Sequence, residues 1–136
     1  MPRLQLESVH GPARREVIKG LLAFNKSAVG KNDYKALTIT LRNGKAIIGG
    51  LVGSSWMGWL YIDLLWITEK YRGKGHGTAL MKKAETEARK RGVKHIYLNS
   101  FSFQAPEFYK KLGYKVFGRL KNFPAGHTRY WLAKAL

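Results

Sequence analysis

The stretch "WLYIDLLWITEKYRGKGHGTALMKKAE", residues 59–85, decides the fold. Its first part, "WLYIDLLWI", is a nearly unbroken apolar run of the kind that lies as a central strand buried on both faces. It then turns through a corner with glycine at 73, 75 and 77 between basic residues and passes into a helix-forming run. A strand that leads through such a corner into a helix gathers backbone N–H groups and the positive end of a helix dipole at one point. Gly73, Gly75 and Gly77 have no Cβ and let the backbone approach an anion closely, while Arg72 and Lys74 add positive charge. The corner therefore reads as a phosphate cradle. It departs from a nucleotide P-loop, which ends in Gly-Lys-Ser/Thr, and from a dinucleotide fingerprint, whose third glycine would fall at Thr78.

Working outward toward the N-terminus, "ALTITLRNGKAIIGGLVG" places β-branched runs on either side of Asn43-Gly44, a dipeptide that accepts the positive φ angles of a tight hairpin turn. A second turn is expected around "GSSWMG". Residues 3–9 read as a short strand, and "GPARREVIKGLLAFNKSAVGK" sets Val17, Ile18, Leu21, Leu22 and Phe24 near helical spacing. Toward the C-terminus, Leu80, Met81, Ala84 and Ala88 form one apolar helical stripe that Gly92 ends. "HIYLNSF" reads as a strand, and "QAPEFYKKLGY" as a short helix with Pro106 in its first turn and Gly113 closing it. Strands near "KVFGRL" and "TRYWLAKAL" complete the chain. This order predicts an α/β (mixed α+β) fold in one domain over residues 1–136, with a mixed, mostly antiparallel sheet of six to seven strands flanked by helices.

Composition narrows the function. With 25 Lys and Arg against 8 Asp and Glu, the net charge of +17 calls for an anion or anionic partner to offset self-repulsion. Cysteine is absent, which excludes disulfides, thiolate metal sites and thiol nucleophiles. His10, His76, His95 and His127 share no metal-ligand spacing, so no metal is expected. The uncharged stretch "AIIGGLVGSSWMGWLYI" at 46–62 falls short of the roughly 20 apolar residues of a spanning helix, and its Gly and β-branched content favours paired strands. "MPRLQLESVH" lacks the apolar core of a signal peptide, and a cytoplasmic location is expected.

"RGKGHG" at 72–77 matches the Arg/Gln-x-x-Gly-x-Gly/Ala motif of the GNAT superfamily, the acyl-CoA-dependent N-acetyltransferases. "YIDLLWI" before it, "TALMKKAETEARKRG" after it and the later "APEFYKKLGYKVFG" resemble that family's two central motifs, and the element order is similar to its fold. The resemblance is specific from about residue 36 onward. It implies a bulge in the strand ending at Ile67 that splays the sheet at its central parallel pair, and acetyl-CoA as donor, with direct attack by a primary amine in a ternary complex. The pyrophosphate would lie on Arg72, Gly73, Lys74, Gly75, His76, Gly77 and Thr78, and main-chain groups of Leu65 and Ile67 would meet the pantetheine and the thioester. Ser102 stands where many members carry an asparagine toward the pantetheine arm, whereas Asn99 reads as a strand-edge residue.

An alkyl amine with a pKa near ~10.4 is protonated at neutral pH, so a base is required. Asp63 falls where polyamine acetyltransferases of this family carry an acid, and simple alternation would put Tyr61, Asp63 and Leu65 on one face. Asp63 is either that base, acting through water, or a carboxylate satisfying groups within the sheet. Tyr109 resembles the family's acid for the departing thiolate, with Tyr114 at its aromatic core position, and His127 lies in a loop that often lines the acceptor pocket. The charge disfavours a polycationic acceptor and leaves the rest open. A homodimer is allowed. Two other readings stand: a basic surface of Lys82, Lys83, Arg89, Lys90, Arg91 and Lys94 that contacts nucleic acid, less favoured than a solvated face, and a non-catalytic CoA-binding regulator.

Overall fold

In the computed structural model, which describes residues 1–136, the chain divides into two units, Met1–Asp33 and Tyr34–Leu136. The first unit contains one helix, α1 (Pro12–Val29), with Pro12 in its first turn. It ends at Gly30, whose φ of 86° and N–H bond to the Lys26 carbonyl form a left-handed cap. Residues 3–9 do not form the expected strand, and Leu4 and Leu6 are fully exposed. Alternation supplies the side-chain pattern of a strand, but a strand also needs a ladder partner for its backbone groups, and no strand pairs with this segment.

The second unit is a six-stranded mixed sheet in the order β1-β2-β3-β4-β6-β5. Its strands are β1 (Lys35–Asn43), β2 (Ala46–Trp56), β3 (Trp59–Ile67), β4 (His95–Phe101), β5 (Lys115–Lys121) and β6 (Thr128–Ala135). Two tight hairpins build its first half. At the first, Asn43 pairs with Ala46 and only Gly44 takes a positive φ; at the second, Met57 and Gly58 both do. Helix α2 (His76–Lys90) and the short α3 (Pro106–Lys111) provide the helices of this unit. The apolar stripe of α2 packs into the core as its spacing predicts: Leu80, Met81, Ala84 and Ala88 are buried, with Leu51, Leu60, Ile62, Ile96, Leu98 and Leu132 supplied by the sheet.

β3 lies inside the sheet, but it is not buried on both faces. Leu60 and Ile62 enter the core, whereas Trp59, Leu64 and Trp66 on the opposite face are partly open to solvent. The register between β2 and β3 shifts at Val52↔Leu64 and Gly53↔Ile62, leaving Asp63 as the extra residue of a β-bulge. The alternation expected for Tyr61, Asp63 and Leu65 therefore breaks at Asp63: after the bulge, Leu65 packs against the core. β3 and β4 run parallel and pair only from Trp59↔His95 to Ile62↔Leu98, and beyond that point they separate.

A buried polar group ties the helices to the far side of the sheet. Glu85 on α2 accepts from the Tyr114 hydroxyl at 3.2 Å and from Lys134 Nζ on β6 at 2.9 Å, and Lys134 also donates to the Leu112 carbonyl. Burial and the adjacent Glu85 carboxylate push the Tyr114 phenol far above its usual range, which keeps it a hydrogen-bond donor. These bonds fix the end of α3, and with it Tyr109.

Candidate active site

β3 leads through a 3₁₀ turn, Glu69–Tyr71, into the glycine corner and α2. Gly73 and Gly75 sit at φ of 73° and 84°, a region that disfavours any residue with a Cβ, and Gly75 caps the helix. The first bond within α2 runs from the Ala79 N–H to the Gly75 carbonyl. The N–H groups of His76, Gly77 and Thr78 thus have no helical acceptor, and no acidic side chain occupies the first turn to compete for them. All three residues line a groove of about 700 Å³, together with Arg72, Gly73 and Gly75 at one end and Leu65, Ile67, Ser100 and Tyr109 at the other. Donors, dipole and a guanidinium converge on one wall of this groove, which suits a diphosphate.

Arg72 is oriented by its own strand: its Nε donates to the Ile67 carbonyl at 2.7 Å. That bond occupies the Ile67 carbonyl. Tyr71 is held by Asn43 Nδ2 at 2.8 Å, and Lys74 lies over the Tyr71 ring at 5.6 Å, outside the lining of the groove. Ser102 does not line the groove either. Its hydroxyl accepts the Thr128 N–H at 3.1 Å and meets His127 Nδ1 at 3.2 Å. Ser100 stands in the groove instead; its buried hydroxyl accepts the Ala105 N–H at 3.2 Å and so sets the entry into α3.

Where β3 and β4 separate, a smaller cavity of about 200 Å³ opens, lined by Tyr61, Asp63, Asn99, Tyr109 and Arg129 among others. Tyr109 belongs to both cavities. Only 9% of it is exposed, and burial pushes its phenol up to about 12, so it carries its proton throughout the neutral range. Asp63 is exposed at the bulge and is the one carboxylate of the smaller cavity.

Asn99 is not a strand-edge residue, because β4 lies between β3 and β6. Its Nδ2 donates to the Tyr61 hydroxyl at 2.8 Å, and its Oδ1 accepts from Arg129 Nε at 2.8 Å. The Arg129 guanidinium in turn lies about 5 Å from the ring centroids of Phe101, Phe123 and Trp131. Sequence reasoning missed this relay. Its only signal is polar residues set within two apolar strands, Asn99 in "HIYLNSF" and Arg129 in "TRYWLAKAL".

No helix is long and apolar enough to cross a membrane, and no group of three or more His, Asp or Glu side chains comes together.

Comparison with known proteins agrees with this geometry. The chain is 37% identical over 123 residues, 90% of each chain, to Acetyltransferase Atu2258 of Agrobacterium fabrum. It is 38% identical over 91 residues to Blasticidin-S acetyltransferase of Streptomyces morookaense, covering 66% of this chain and 67% of that one. A crystal structure of a protein assigned as an acetyltransferase from Agrobacterium tumefaciens superposes over the whole of both chains, with a TM-score of 0.90 and 34% identity. The fold also matches a protein assigned as a streptothricin acetyltransferase from Bacillus anthracis, in complex with acetyl coenzyme A, with a TM-score of 0.67 and 22% identity over 74% of this chain and 62% of that one. The model of the acetyltransferase (GNAT) family matches residues 8–114, and the chain, with its glycine-capped helix and splayed parallel pair, belongs to that family.

Proposed function

We propose that the chain transfers the acetyl group of acetyl-CoA to a primary amine that enters beside Asp63. One observation carries this reading: Tyr109 is shared between a groove built for a diphosphate and a cavity that opens only because β3 and β4 separate. Acetyl-CoA supplies an activated acyl group. The N–H groups of His76, Gly77 and Thr78 and the Arg72 guanidinium hold its diphosphate. Beyond Ile62 the edge of β3 facing β4 has no ladder partner, so its main-chain groups at Leu65 are available to the pantetheine arm and to the oxygen of the attacked carbonyl.

On the acceptor side, Asp63 attracts the ammonium and passes its proton to water before attack. Attack forms the N–C bond, the C–S bond breaks as the nitrogen gives up its second proton to water, and Tyr109 donates a hydrogen bond to the departing thiolate sulfur. Its phenol stands near 12, against ~8.5 for an ordinary thiol, so complete proton transfer would be uphill by about 5 kcal/mol and the hydrogen bond itself carries the effect. The name of the 38%-identical Blasticidin-S acetyltransferase supports an amine-bearing small molecule as acceptor.

The test is a calorimetric titration with coenzyme A, followed by a free-thiol assay over a panel of primary amines. Wild-type protein is expected to bind coenzyme A, Arg72→Ala to bind it several-fold more weakly, and at least one amine to release thiol. No heat of binding in the wild type would remove the donor half of the proposal. Binding without thiol release from any amine would remove the catalytic half.

A further inference from the structure

The sheet face that carries Trp59 and Tyr61, opposite the face on which Leu60 and Ile62 enter the core, holds a slot of about 420 Å³ walled by Trp56, Trp59, Tyr61, Tyr97 and Phe117. We propose that this slot receives a flat, uncharged ring on the acceptor, which carries its amine on a short arm to Asp63. The proposal rests on the reading of the chain as an amine acetyltransferase and names the class of acceptor for that site.

Position comes first. Tyr61 lines both the slot and the cavity that contains Asp63 and Tyr109. From Tyr61 to Asp63 is two residues of strand, about 7 Å, the reach of a short alkyl arm. The slot also lies beside the paired segment of β3 and β4 that ends where the splay begins.

The walls are set before any ligand arrives. Tyr97 packs against Tyr61 with centroids 4.8 Å apart and against Trp59 edge-on at 5.7 Å, while Trp59 stacks on His95 at 4.6 Å. The Asn99 bond to the Tyr61 hydroxyl, itself anchored by Arg129, holds the ring at the junction. Trp56 and Phe117 also line the slot and remain 38% and 64% exposed, so a ring seated against them buries apolar surface.

Charge then decides what kind of ring. None of the side chains lining the slot carries a formal charge, in a molecule of net +17. An exposed cation–π contact contributes about 0.5–1 kcal/mol, and the surrounding positive field opposes it, so a cationic body gains little here. A polyhydroxylated body would find few partners, because the lining is mostly aromatic. A neutral ring gains stacking and burial with neither cost, and its ammonium meets Asp63, the one carboxylate of the adjoining cavity.

The probes are tryptamine, which joins a neutral bicyclic ring to a short amine arm, and hexylamine, which has the arm without the ring. The ratio of their kcat/KM values cancels any general loss of activity. Wild type should favour tryptamine by about tenfold or more, and Phe117→Ala and Trp56→Ala should each bring that ratio close to one. Coenzyme A titration of the variants serves as the check on folding. Equal kcat/KM for the two amines, or a wild-type ratio retained in both variants, would overturn the slot and leave acetyl transfer standing. Should the protein bind coenzyme A but acetylate no amine, saturation-transfer NMR decides the slot alone. Tryptamine signals that appear with wild type and vanish with Phe117→Ala support it, and no signal with wild type overturns it.

Discussion

Tyr109 owes its chemistry to where its ring is buried, since the same burial that packs it against Phe108 and Tyr114 holds its proton in place. Tyr109→Phe keeps the ring and removes the donor, so kcat should fall by about a hundredfold with affinity for coenzyme A retained; an unchanged kcat would mean that the ring only packs. Because the phenol stands near 12, kcat should show no alkaline fall from this group between pH 7 and 11. Stability follows the same sign. A phenol raised in the folded state contributes fully below its unfolded value of ~10, and that contribution is lost as pH climbs to the folded value. For Tyr109 it amounts to about 3 kcal/mol, and Tyr114, raised by burial and by Glu85, adds in the same direction. Melting temperature should therefore hold up to pH 10 and decline above it, less steeply in Tyr109→Phe; an unchanged slope in that variant would contradict the assignment. Tyr109 was singled out in "APEFYKKLGY" by resemblance to a family motif, whose residues a short helix keeps together. The Tyr61–Asn99–Arg129 relay was not: its members lie on three strands, and only the sheet order brings them into contact.

At the scale of elements, the site depends on one extra residue in β3. The bulge at Asp63 turns Leu65 toward the groove, and opposite it the chain places Gly53, where a Cβ would overlap the Tyr61 carbonyl oxygen. That neighbour is backbone and cannot move without shifting β3. Gly53→Ala should cost about 1–3 kcal/mol of stability and also weaken coenzyme A binding, because the displaced strand forms the wall of the groove. Denaturant unfolding and calorimetry on the same variant check both, and a variant as stable as wild type would show that β2 and β3 approach less closely than this register requires. Hydrophobic period and turn chemistry made the strands, the hairpins and α2 legible in the sequence. The bulge was expected only through the family resemblance, and its place was not legible, since period-two reading assumes an unbroken pleat and nothing in "YIDLLWI" marks which residue is extra. Residues 3–9 failed in the opposite way: the pattern of a strand was present and the partner was not.

For the molecule as a whole, the acids do little to offset the bases. Four of the 8 carboxylates, those of Asp33, Glu85, Glu87 and Glu107, are already held by lysines, and the net charge remains +17. Such a field draws an anionic donor toward the groove and repels a cationic acceptor, and salt weakens both effects as the Debye length contracts to about 10 Å at 0.1 M. The two substrates should therefore respond with opposite signs. Between low and high ionic strength KM for acetyl-CoA should rise several-fold, while KM for a cationic amine such as tryptamine should fall, with kcat nearly constant. General inhibition by salt would raise both KM values together. Parallel movement of the two would show that encounter is governed by the groove's own amide donors and by Asp63, and that the net charge of the chain serves some other partner.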